Sequence, residues 1–122
     1  MYCCTPRCYR QIFSERTALA QPRDSRRHGP DATSRRIVDL LKERGVQGLT
    51  LLEVGGGIGA IQIELLKAGL DRAVSVELTP SYEGSAVQLL REAGFSDRVQ
   101  RRGLGFVGAS RPLAAAAMPA AA

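Results

Sequence analysis

At 122 residues, with 44% hydrophobic and 24% charged side chains, the chain has the make-up of a soluble globular protein and room for one modest domain with a single core. Aromatic residues make up only 5% and Trp is absent, so the core must rest on Leu, Ile, Val and Ala. The net charge of +5 is almost entirely N-terminal, since residues 1–30 carry six Arg against Glu15 and Asp24. No run approaches the roughly 20 apolar residues of a membrane span. The first twenty residues, interrupted by Arg7, Arg10, Glu15 and Arg16, hold no secretory h-region. A cytoplasmic protein is expected.

Residues 1–30 contain Pro6, Pro22 and Pro30 and no sustained period, so they are expected to form a poorly ordered basic arm, with a short helix within residues 9–20 at most. A basic arm could meet nucleic acid, but a solvated leader is the plainer expectation. Cys3, Cys4 and Cys8 are odd in number, crowded together and expected to be reduced thiols. Their Cys-Cys-x-x-x-Cys spacing is not a standard zinc pattern. A metal or nucleic-acid module built on them, with His28, is the alternative from a different functional class. His28, between Arg27 and Gly29-Pro30, reads as a linker residue.

From Asp31 the pattern changes. Asp31 or Thr33 can cap a helix whose apolar side is Ile37, Val38, Leu40 and Leu41 and whose stop is Gly45. Leu49 to Val54 is a nearly continuous apolar run, as expected of a strand buried on both faces of a parallel sheet. After the glycines, residues 58–69 place Ile58, Ile61, Leu65 and Ala68 on one helical face and end at Gly69. Residues 73–78 read as a second strand. Thr79-Pro80 then opens a helix over residues 81–93, on whose surface Tyr82 is expected, and Gly94 stops it. Residues 97–102 lead toward a third strand. Strand, helix, strand, helix in about fifty residues implies an open α/β sheet with right-handed crossovers. The last twenty residues hold eight Ala, three Gly, two Pro and no acid, and are expected to be an irregular tail. The organisation is therefore an arm (1–30), a ligand-binding unit (31–102) and a low-complexity tail (103–122).

The chemistry concentrates in LLEVGGGIGA, residues 51–60, where four of five successive positions are glycine. Such a cluster weakens any regular element, so it serves a turn, a close approach, or both. At the carboxyl end of the first strand, a tight turn into a helix presents backbone N–H groups beside a positive helix terminus. The missing side chains at Gly55, Gly57 and Gly59 would let a ligand lie against the backbone. Gly55, Gly57 and Ala60, with Glu77 some twenty residues on, formally satisfy the dinucleotide pattern G-x-G-x-x-G/A. An NAD(P) or FAD fragment is therefore the alternative enzyme assignment. Glu53 argues against that alternative, because a dinucleotide turn usually continues the apolar strand at that point.

E-x-G-x-G-x-G, as Glu53, Gly55, Gly57 and Gly59, resembles motif I of the class I, seven-strand S-adenosylmethionine-dependent methyltransferases, and Glu77 falls where that family's second motif carries an acid. The resemblance covers about residues 35–102. It implies a partial Rossmann-like sheet of about three strands with flanking helices, S-adenosyl-L-methionine as cofactor, and transfer of a methyl group to an acceptor it does not identify. It also implies that Glu53 accepts from the cofactor's amino group and that Gly55, Gly56, Gly57 and Gly59 line its methionine and ribose portion. Glu77 would take both ribose hydroxyls, and Leu78 would flank the adenine. The family's acid after the third strand is not matched: Leu104 and Gly105 stand there, and no acid follows Asp97. Strands four to seven are absent too. Either another polypeptide completes the domain, or the reading frame shifts near Gly103, and the tail's composition favours the shift. A half sheet of this kind is expected to self-associate through its uncovered surfaces and to bind the cofactor weakly or not at all.

Overall fold

The computed structural model describes residues 14–103. Helix α1 (Glu15–His28) starts at Ser14, whose hydroxyl accepts from the Thr17 N–H, satisfying one of the first turn's orphan donors. It continues through Pro22, which has no N–H for the Ala18 carbonyl one turn back. The Ser85 hydroxyl donates to that carbonyl at 3.1 Å, so the group freed by the proline is satisfied from outside the helix. The second half of the arm is therefore helical, where the sequence suggested at most a short helix within residues 9–20. Tertiary contacts account for the difference: Ala18 is buried in the core, and Arg26 forks onto both oxygens of Glu92 at 2.8 Å each.

Gly29, at φ 73°, turns the chain into α2 (Ala32–Arg44). Asp31 caps α2, accepting from the Thr33 and Ser34 N–H groups and from the Ser34 hydroxyl. Only part of its apolar stripe is used. Val38 is buried and Leu41 is partly covered, whereas Ile37 and Leu40 remain exposed. Among the described elements, the close neighbour of α2 is the helix Ala60–Lys67, so only one side of the stripe is covered.

The remaining elements are β1 (Thr50–Val54), α3 (Ala60–Lys67), β2 (Arg72–Glu77), a 3-10 turn (Pro80–Tyr82), α4 (Glu83–Ala93) and β3 (Val99–Gly103). The strands form an open parallel sheet in the order β1-β2-β3, the α/β architecture implied by alternating strands and helices. Rows of equivalent residues cross it, among them Leu51–Ala73–Val99 and Glu53–Ser75–Arg101. The core has two parts. Ala18, Ile58, Ile63, Tyr82, Leu89 and Leu90 tie α1, α3 and α4 together, while Val38, Val46, Leu65, Leu66, Leu70 and Ala73 seat α2 and α3 on the sheet. Tyr82, expected on a helix surface, is 4% exposed. The docking of α1 against its turn covers the ring.

β1 is not buried on both faces. Leu52 and Val54 are 58% and 69% exposed, although Leu51 on the opposite face packs into the core. An apolar run is doubly buried only when layers lie on both sides, and among the described residues β1 has a strand on one edge and helices on one face.

Candidate ligand cleft at the glycine loop

The loop from β1 to α3 is built on left-handed backbone at Gly55 (φ 74°), Gly57 (φ 57°) and Gly59 (φ 84°), which side-chain-bearing residues rarely adopt. The Gly55 N–H donates to the Val76 carbonyl at 2.8 Å, holding the loop's start against β2, and the Gly59 N–H closes a turn onto the Gly56 carbonyl at 2.9 Å. These glycines put backbone, not side chains, at the carboxyl end of the sheet.

Both predicted acids reach this loop. The Glu77 carboxylate, at the end of β2, accepts from the Gly57 N–H at 2.7 Å through Oε2 and from the Thr79 N–H at 2.8 Å through Oε1. It therefore fastens two strand-end loops to each other. Glu53 Oε2 accepts from Gln62 Nε2 at 3.2 Å, and the rest of its carboxylate fills the space a side chain at position 56 would need. Burial pushes the Glu53 carboxyl above the usual range. The Gln62 hydrogen bond and the charge of Arg101 oppose that rise, and the charge of Glu77 adds to it.

These groups open onto a cleft of about 600 Å³, within the range of small-molecule sites. Glu53, Gly55, Gly56, Gly57, Glu77 and Leu78 all line it. Gly59 lies buried behind the loop, with the Gln62 side chain 3.1 Å from where its Cβ would stand. Asp24 and His28 from α1 and Asp31 from the start of α2 form part of the wall. His28, expected in a linker, is thus the last residue of a helix beside the cleft. Tyr82 reaches the cleft as well, and its phenol is raised by burial and by the nearby Glu77, with Gln21 opposing.

Sequence reasoning passed over Gln62, a fully buried polar residue on α3. Its only signal is a lone amide between Ile61 and Ile63. Asp24, His28 and Asp31 had no signal as wall residues, because folding α1 back over the loop is a tertiary event. Cys3, Cys4, Cys8, Leu104 and Gly105 lie outside the described residues. Among the described residues, no three His, Cys, Asp or Glu side chains are grouped to hold a metal ion, and no helix is long and apolar enough to cross a membrane.

An open parallel sheet with a glycine loop and two strand-end acids at its carboxyl edge places the chain in the α/β class of Rossmann-like folds. The sequence matches no protein-family model, and no curated protein is similar to it. Solved structures are more informative. The fold is similar to that of an RNA methyltransferase from Salinibacter ruber in complex with S-adenosyl-L-homocysteine, at 28% identity, TM-score 0.52, 62% of this chain and 48% of that one. It is also similar to a candidate S-adenosyl-L-methionine-dependent methyltransferase from Methanococcus maripaludis, at 19% identity, TM-score 0.61, 76% of this chain and 42% of that one. A candidate RNA methyltransferase from Pyrococcus horikoshii matches at 18% identity, TM-score 0.56, 62% of this chain and 37% of its own. The chain is therefore structurally similar to class I S-adenosylmethionine-dependent methyltransferases over part of their fold, and it spans less than half the length of each of these three.

Proposed function

We propose that the chain is the cofactor-binding half of an S-adenosylmethionine-dependent methyltransferase, with residues 31–102 as the binding unit, the cleft as the cofactor site and the methyl acceptor unassigned. The observation that carries this is the convergence of Glu53 and Glu77 on one glycine loop. A carboxylate offers about four acceptor sites, and Glu77 uses two on backbone N–H groups. The other two match a ribose diol. Glu53, held over Gly56, is an acceptor for the cofactor's ammonium group. Asp24 and Asp31 on the wall add negative charge, which suits a ligand bearing a sulfonium and an amine. When bound, that cofactor supplies an activated methyl group, so the protein's task is mainly alignment.

The same geometry disfavours a dinucleotide. A pyrophosphate would use the loop's N–H groups, but the Gly57 N–H already donates to Glu77. Four carboxylates around the cleft would also repel it. The two ligands separate in a thermal-shift titration of the full chain. Adenosylhomocysteine at ten times its Kd should stabilise the fold by about 1.4 kcal/mol, while NAD at the same concentration should not. Stabilisation by NAD alone would refute the assignment.

A further inference from the structure

The register of the sheet places Glu53, Ser75 and Arg101 in one row across β1, β2 and β3. Gln62 approaches this row from α3. It is fully buried and donates Nε2–H to Glu53 Oε2 at 3.2 Å. The Arg101 side chain is only 9% exposed; it donates through Nη1 to Ser75 Oγ at 3.4 Å and through Nε to Glu83 Oε2 at 3.1 Å. One acceptor, Gln62 Oε1, and one donor, Arg101 Nη2, are buried without a hydrogen-bond partner among the described residues. A core built for stability alone would place apolar side chains here. Two orphaned polar atoms in the surroundings of one carboxylate call for a role.

We propose that Gln62 and Arg101 are positioning residues for Glu53: Gln62 fixes the orientation of the carboxylate over Gly56, and Arg101, anchored on Ser75 between them, sets a positive charge in the same row of the sheet. What Glu53 binds rests on the cofactor assignment above. The positioning itself is a property of the free chain. The charged and titratable groups around Glu53 are Glu77 at the end of β2, Arg101 on β3, and, around the cleft, Asp24 and His28 on α1, Asp31 at the start of α2 and Tyr82 before α4. Burial and Glu77 drive Glu53 toward its neutral form, while Gln62 and Arg101 drive it toward the anion. Removing either of the latter must leave a carboxyl that ionises at higher pH.

The test is a carboxyl-carbon NMR titration of Glu53 in the full 122-residue chain, assigned with Glu53→Gln. The variants are Gln62→Met, which keeps the volume of the side chain, Arg101→Met and Arg101→Lys. The Glu53 midpoint should rise in Gln62→Met and Arg101→Met and return toward the wild-type value in Arg101→Lys, with the Asp31 midpoint unmoved. Adenosylhomocysteine affinity in Gln62→Met should fall more at low pH than at high pH, a pattern that simple loss of packing does not produce. An unchanged or lowered Glu53 midpoint in either folded Met variant would overturn the proposal. A raised midpoint in a chain that binds no adenosylhomocysteine would uphold the positioning role and overturn the cofactor assignment.

Discussion

Glu53 is the residue at which binding and stability pull in opposite directions. Its carboxyl is raised by burial, so the folded chain holds the proton more tightly than the unfolded chain does. Stability from this group therefore falls as pH climbs from the ordinary carboxylate range through the folded value, and above that value the buried charge exerts its full destabilising effect. Glu53→Gln should raise Tm at pH 7, and the gain should shrink toward pH 4. Thermal denaturation of both chains at the two pH values checks this, and an equal difference at both would count against it. Glu77 contributes to the fold through geometry, since its carboxylate satisfies two backbone donors. Glu77→Ala should destabilise the fold by about 2 kcal/mol in urea titrations and abolish the response to adenosylhomocysteine. The glycines and both acids were legible in the sequence because a strand end, a loop and a helix start impose fixed spacing on them. Gln62 and Tyr82 were not, because their burial is decided by which helix packs over them.

Among the elements, α1 shows most clearly how tertiary contact overrides local signals. Pro22 leaves the Ala18 carbonyl without its helical donor, and Ser85 on α4 supplies one. Ser85→Ala alone should cost about 1 kcal/mol, because it leaves a buried acceptor unsatisfied. In a Pro22→Ala background the restored N–H donates to that carbonyl, so the same change should cost much less. A double-mutant cycle by chemical denaturation measures the difference, and equal costs in both backgrounds would contradict the account. Elements from Asp31 onward were legible to within a residue or two through caps, glycine stops and apolar period. The helix through the arm was not, since the group that rescues its proline lies 67 positions from Ala18 in sequence. The exposed face of β1 could not be read from its own residues either: an apolar strand shows what it could bury, not whether a layer covers it.

For the molecule as a whole, the cleft is walled on several sides while the sheet keeps an exposed face. The described cleft-lining residues all come from the segment between Gln21 and Tyr82, so the chain supplies them itself. The sheet, by contrast, leaves Leu52 and Val54 exposed on β1, and the chain spans less than half the length of the three similar solved structures named above. The expected site is therefore real but weak, with a Kd for adenosylhomocysteine on the order of 0.1–1 mM, about 4 to 5.5 kcal/mol of binding free energy. Amide NMR titration of the uniformly labelled chain tests this most directly. Adenosylhomocysteine should saturably shift the Gly55, Gly57 and Thr79 amides in the wild-type chain and leave them unmoved in Glu77→Ala, with NAD inert in both. No shift at several millimolar adenosylhomocysteine, or equal shifts with NAD, would contradict it.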